Sequence, residues 1–231
     1  VAHERGHRLD TVELDVTSSA SIAAAVAAVT RLTDRSGIDV LVNNAGFGVA
    51  GPAVEVTDAD LRRQFDTNVF GLMAVTRAFL PQLRARGAAK IINISSLGGR
   101  ITLPFMATYN ATKYAVESLS DGLRLELKPL GIQVSLIEPG AINTEFNAVA
   151  MHTIERYRAA GSVYAGALER FDAVARKFEK RAPGPEAIAR AIHRAIRARR
   201  SRARYVAPFS ASLLVGFVRM LPTRWADALF G

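Results

Sequence analysis

Two hydrophobic periods take turns along this chain. Thr11-Val12-Glu13-Leu14-Asp15-Val16 alternates apolar and polar positions, which predicts a strand. Ser18-Ser19-Ala20-Ser21 then offers capping hydroxyls to an Ala-rich helix with Ile22, Val26 and Val29 at helical spacing. Ile38-Asp39-Val40-Leu41-Val42 is a short apolar strand. Thr57-Asp58-Ala59-Asp60 caps a long helix to about Arg84, with Leu61, Phe65, Val69, Leu72 and Val75 as its buried stripe. A strand over 90–95, a helix from about Thr108 to Lys128 and a strand over 132–137 complete two more repeats. Strands alternating with helices predict an α/β fold with a parallel sheet and right-handed crossovers. A ligand of such a sheet belongs at the carboxyl ends of its strands.

Beyond Thr144 the pattern loosens. Residues 145–182 carry Phe146, Met151, Tyr157, Tyr164, Phe171 and Phe178 among charges, which predicts irregular helices lying over a site. Pro183-Gly184-Pro185 starts a helix over 186–200 with Ile188, Ile192 and Ile196 in one stripe. Arg204-Tyr205-Val206-Ala207 reads as a last strand, and the tail from Ser212 to Phe230 sets apolar residues among Arg219, Arg224 and Asp227. With no internal repeat or linker, residues 1–231 read as one domain, with 145–185 as a lid and 186–231 as a C-terminal extension.

Composition narrows the chemistry. The 231 residues, 49% hydrophobic and 22% charged, suffice for one sizeable core. The chain has no Cys and only four His, scattered at His3, His7, His152 and His193, so neither a thiolate nor a His-based metal site is expected. The net charge of +9 draws much of its excess from the Arg-rich run 194–204. Without interleaved aromatics or a DNA-binding motif, that run reads as the solvated end of a helix, and no nucleic-acid partner is expected. No apolar run reaches membrane-spanning length. A cytoplasmic location is expected, with contact between the tail and a membrane surface as the secondary reading.

The chemistry concentrates in Ser96-Leu97-Gly98 and Tyr109-Asn110-Ala111-Thr112-Lys113. A Tyr and a Lys four residues apart share one helix face. An ammonium beside the phenol would lower a pKa that starts near 10 and make Tyr109 an acid/base group near neutral pH. A lone pair of this kind is usually an amphipathic helix surface, but here it has company. Asn43-Asn44-Ala45-Gly46 follows the strand 38–42, Asn68 sits in Asn68-Val69-Phe70-Gly71, and Pro139-Gly140 follows Gln133–Ile137.

The order NNAG, Asn, Ser, YxxxK, PG, spanning about Asp15 to Thr144, resembles the short-chain dehydrogenase/reductase family in its single-domain branch. The resemblance implies a Rossmann-type doubly wound sheet in three layers. It further implies NAD or NADP as coenzyme and a small-molecule alcohol or ketone as substrate. Residue by residue, it makes Tyr109 the general acid/base and gives Lys113 the tuning of Tyr109 and the nicotinamide ribose. Ser96 would hold the substrate oxygen, in preference to Ser95, and Asn68 a relay water. Asp15 and Val16 match the pair that cradles adenine, the bland alternative for Asp15 being a helix cap. Asn43, Ala45 and Gly46 match the turn at the adenosine ribose, with strand bracing as Asn43's alternative. Pro139, Gly140, Ile142 and Thr144 match the segment at the carboxamide. The helices 58–84 and 108–128 match those that pair subunits, which implies a homodimer or homotetramer.

The resemblance also implies two strands and a TGxxxGxG loop ahead of Thr11, which the sequence does not contain. The chain is therefore expected to be a piece of a longer protein, and the residues that choose between NAD and NADP lie outside it. The segment after Pro139, similar to that of steroid- and retinol-dehydrogenase-like members, points to a bulky apolar substrate. The competing readings are a non-catalytic nucleotide sensor or scaffold, and an epimerase or dehydratase. The intact Tyr-Lys-Ser-Asn set disfavours the first, and the short segment after Thr144 disfavours the second.

Overall fold

The computed structural model describes residues 9–159, 162–179 and 182–230. Its sheet is parallel, with strands β1 (Val40–Asn43), β2 (Lys90–Ile94), β3 (Gln133–Pro139) and β4 (Arg204–Ala207) in spatial order 1-2-3-4. α1 (Ser19–Leu32) precedes β1, α2 (Asp58–Phe65) and α3 (Leu72–Ala85) lie between β1 and β2, and α4 (Ala107–Glu126) lies between β2 and β3. Three further helices, α5 (Glu145–Ala159), α6 (Ala165–Glu179) and α7 (Glu186–Arg197), lead to β4, and α8 (Phe209–Met220) and α9 (Thr223–Phe230) follow it.

Successive strand residues serve opposite layers, as the two-residue period of a strand requires. Ile91 and Val134 pack with Leu83 of α3 and with Leu123 and Leu127 at the end of α4. Ile92 and Ile137 face the other way, onto Ala191, Ala195 and Ile188 of α7. The sheet is thus sandwiched between α3 with α4 and α7, and α1 lies outside α3 through Ile22, Val75 and Phe79. α7 ends on the Lys90 ammonium, which donates to the carbonyls of Ala195 and Ile196 at 3.0 and 2.6 Å. A cation satisfying the last carbonyls of a helix stabilises that end.

Four expectations need correction. Thr11–Val16 is not a strand. No described strand lies beside it, so its backbone lacks the ladder that a strand requires, and Val12 and Leu14 are left exposed. The long helix 58–84 is continuous but carries a π-helical stretch, Asp66–Gly71, at its centre. In place of irregular helices, the described residues of 145–182 hold α5 and α6, regular helices of 15 residues each. Finally, residues 186–207 are no extension, because α7 covers one sheet face and β4 pairs with β3.

Candidate active site

The four residues singled out for chemistry come from three elements that meet above the carboxyl ends of β1 and β2. Ser96 follows β2 in extended conformation and caps a short turn, its hydroxyl accepting from the Gly98 N–H at 3.0 Å. Ser95 is buried, whereas Ser96 is half-buried, which leaves Ser96 as the serine with open access. Tyr109 and Lys113 both lie on the buried face of α4. The Lys113 ammonium donates to the Ile94 carbonyl at 2.9 Å and stands 5.8 Å from the centre of the Tyr109 ring. An ammonium has three N–H donors, so two remain for a ligand.

Asn68 sits inside the π-helical stretch, a feature often found at functional sites. It is almost wholly buried and clamps the loop after β1, accepting from Phe47 N–H at 3.0 Å and donating to the Phe47 carbonyl at 2.8 Å. It also donates to Thr112 Oγ1 at 3.1 Å, one residue before Lys113. Gly46 is placed where a Cβ would meet Asn68 Oδ1 at 3.0 Å and Lys113 Nζ at 3.7 Å. Only a residue without a side chain leaves that approach to the lysine open.

Burial sets the protonation states. Tyr109 is pushed up to about 12, mainly by desolvation, with the Ser96 hydroxyl pulling the other way. Lys113 is pulled down to about 8 by desolvation, opposed by Glu117 one turn further along α4. The expected lowering of the tyrosine by its lysine is therefore not found. The ammonium points at the Ile94 carbonyl rather than at the phenol oxygen, and burial of the phenol outweighs it.

Of the residues matched to coenzyme contacts, Ala45 and Gly46 form, together with Asn44, an exposed shelf at the end of β1. Pro139 ends β3 and is followed by Gly140, whose N–H bonds the Ala207 carbonyl at 2.8 Å. Ile142 is buried and Thr144 half-buried just before α5. Asn43 is a brace: its amide donates to Thr76 Oγ1 and Asn93 Oδ1, both at 2.9 Å, and Asn93 donates onward to Ser120 Oγ at 2.8 Å. Asp15 is a turn-former, its carboxylate accepting from the Thr17 N–H and hydroxyl at 2.8 and 2.7 Å. That pair holds its pKa below the usual value. Val16 packs into the α1–α3 cluster and against Gly71. The structure thus joins neither Asp15 nor Val16 to the four central residues by any hydrogen bond.

The residues present fit a coenzyme at its nicotinamide and ribose end. The observations that decide this are the two free lysine donors, the side-chain-free approach at Gly46 and the turn at Pro139-Gly140. Sequence reasoning missed the ionic layer behind Lys113. Glu117 and Glu138 are buried side by side; Arg204 Nε reaches them at 2.9 and 3.1 Å, and Arg100 bonds Glu138 at 2.9 Å. Arg204 also holds Asp121 at 2.7 Å. The signal was legible, since Glu138 interrupts the otherwise apolar run Leu136-Ile137 just before Pro139-Gly140.

A sequence profile of the family described as short chain dehydrogenase matches residues 1–155. The probable short-chain type dehydrogenase/reductase VdlC of Helicobacter pylori (strain J99) is 33% identical over 221 residues, covering 96% of this chain and 80% of that protein. The NADPH-dependent 3-dehydrocapnine reductase of Ornithobacterium rhinotracheale is 33% identical over 224 residues, covering 95% and 78%. Among solved structures, a short-chain dehydrogenase from Streptomyces avermitilis superimposes with a TM-score of 0.76 at 32% identity, covering 98% of this chain and 82% of that one. The chain belongs to the short-chain dehydrogenase family. It is an NAD(P)-dependent oxidoreductase of alcohols and ketones.

Proposed function

We propose that this protein interconverts a bulky apolar ketone and its secondary alcohol, with Tyr109 as the proton-transferring group. Bound coenzyme supplies or accepts the hydride. Ser96 holds the substrate oxygen, and Tyr109, which keeps its proton to about pH 12, delivers it to that oxygen during carbonyl reduction. Lys113 orients the ribose with its two free donors. Asn68 fixes the loop 44–50 on which the coenzyme rests.

The observation that carries the substrate class is Phe146, at the start of α5. Its ring lies 5.4 Å from that of Tyr109, and Gly48 lacks the Cβ that would meet Phe146 at 3.0 Å. The acid is therefore approached past an aromatic wall, as in sites for apolar ligands. The remaining aromatics of the expected lid do not line this approach. Met151, Tyr157, Tyr164 and Phe171 pack with Ala50, Ile154, Leu168 and Phe105 in a cluster of their own. α5 is pinned there by Thr153, whose hydroxyl accepts from Ala50 N–H and donates to Ala50 O, each at 2.8 Å. The lid is thus an anchored platform with Phe146 as its working edge.

Exposed Phe70 and Tyr114, on the π-helical stretch and α4, support self-association through this helix face into a homodimer or homotetramer. The substrate reading is tested with a ketone panel and the full-length protein, following nicotinamide absorbance. Long-chain or polycyclic ketones should outperform sugars and short keto acids in kcat/KM, and Phe146→Ala should raise KM for the bulky ketones alone, about tenfold. A clear preference for small polar substrates would overturn it.

A further inference from the structure

α8 is apolar on two opposite sides. One side, with Val215 and Val218, is buried, and the helix packs along β4. The other carries Phe209, Leu213, Leu214, Phe217 and Met220, which at 100° per residue fall within one arc. All five are exposed, Phe209 by 76%, Leu213 by 65% and Met220 by 79%. α9 follows directly and exposes Trp225, by 69%, and Leu229 as well. A helix apolar all round belongs in a core or at an apolar boundary, and a contiguous exposed patch of this kind marks an interaction surface.

Charge indicates what covers it. Residues 187–230 hold nine Arg and a single acidic residue, Asp227 on α9. Arg204 is taken by the buried ionic layer. The other eight, among them Arg219 on α8 and Arg224 on α9, are exposed. A second copy of this chain would bring its own arginines against these, whereas an anionic lipid surface complements both the apolar face and the cations. No described helix is long and apolar enough to cross a membrane, so the contact is a peripheral one. The geometry points to a surface formed by α8 and α9 that docks on anionic bilayers. Its place supports this occupant: a Cβ at Gly140 would meet Ala211 of α8 at 3.0 Å and Leu97 at 3.4 Å, so the first turn of α8 borders the candidate active site. Apolar substrate would then reach the site from the bilayer, a consequence that rests on the substrate reading above; the docking itself does not.

Trp225 is the single tryptophan of the chain, which makes it the reporter. The full-length protein is mixed with phosphatidylglycerol/phosphatidylcholine vesicles or with phosphatidylcholine alone, and followed by vesicle co-sedimentation and Trp225 emission. Docking predicts co-sedimentation with the anionic vesicles, a blue shift, and affinity at least about tenfold weaker for phosphatidylcholine alone. Raised salt weakens the contact. The double variant Leu213→Glu/Phe217→Glu should lose both signals while keeping its circular-dichroism melting curve and its turnover of a water-soluble ketone. Failure to bind either vesicle would overturn the proposal. So would binding undiminished in the double variant, which would make the arginines alone a general polyanion surface. Self-association abolished by the double variant, without vesicle binding, would assign the face to a second copy instead. Vesicle binding by a protein without ketone turnover would leave docking standing and remove the substrate reading.

Discussion

α4 and α8 both pack on the same four-stranded sheet, yet they invert each other. α4 buries Tyr109, Asn110, Thr112, Lys113, Glu117 and Ser120, with Val116 as the apolar residue among them. α8 leaves five large apolar side chains in solvent. Burying polar groups is costly unless each finds a partner, and on α4 they largely do: Asn110 donates to the Gly98 carbonyl, Ser120 to that of Val116 and Lys113 to that of Ile94. Exposing apolar groups is costly unless something covers them. Each inversion of the ordinary pattern marks work, chemistry at α4 and attachment at α8.

If α4 is held by its buried partners, removing one should hurt far more than any change on α8. Arg204→Ala strips the shared cation from Glu117 and Glu138 and should cost about 3–5 kcal/mol in a denaturant melt, as loss of one member of a buried ion pair does. A loss below about 1 kcal/mol would mean that the layer is solvated.

The next effect is a pH dependence. Lys113 is depressed to about 8 from 10.5, so between those values the unfolded chain binds more protons and stability rises with pH. Below pH 8 the burial of the cation costs the fold about 3 kcal/mol, at 1.36 kcal/mol per pKa unit. Lys113→Met removes that cost. Its advantage over the parent should be greatest near pH 7 and shrink as pH rises towards 10. A stability difference flat across that window would contradict the buried-cation account. The smallest effect belongs to α8: Leu213→Glu should change stability by less than about 0.5 kcal/mol, as exposed substitutions do. A larger loss would show that the face is packed after all.

The same contrast explains what the sequence revealed. Period and spacing made β1 to β4, α1, α4 and α7 readable, because each buries a regular stripe. The pairing of Tyr109 with Lys113 was readable for the same reason, being a matter of helical repeat. Thr11–Val16 misled because alternation prescribes faces but not neighbours, and a strand needs both. The π-helical stretch at Asn68 was hidden, since Asp66–Gly71 keeps helical composition while changing its hydrogen bonds. The direction of the Tyr109 pKa was also hidden, for it depends on where the Lys113 ammonium points. Aromatics of 145–182 looked like pocket lining, but Tyr164 and Phe171 pack edge-on against Phe105 at 6.3 and 5.7 Å. Among the described aromatics of that segment, Phe146 is the one whose ring meets Tyr109.

The central claim is that Tyr109 carries the proton while the rest of α4 holds the scaffold. It is tested most directly by Tyr109→Phe in the full-length protein, measuring kcat with a responsive ketone and coenzyme affinity by titration on the same sample. The account predicts a fall in kcat of roughly 10²–10⁴-fold, with coenzyme affinity nearly unchanged, because the lost atom is the proton donor and not a scaffold contact. A variant that keeps more than about a tenth of the parent kcat, or that loses coenzyme binding along with turnover, would contradict it.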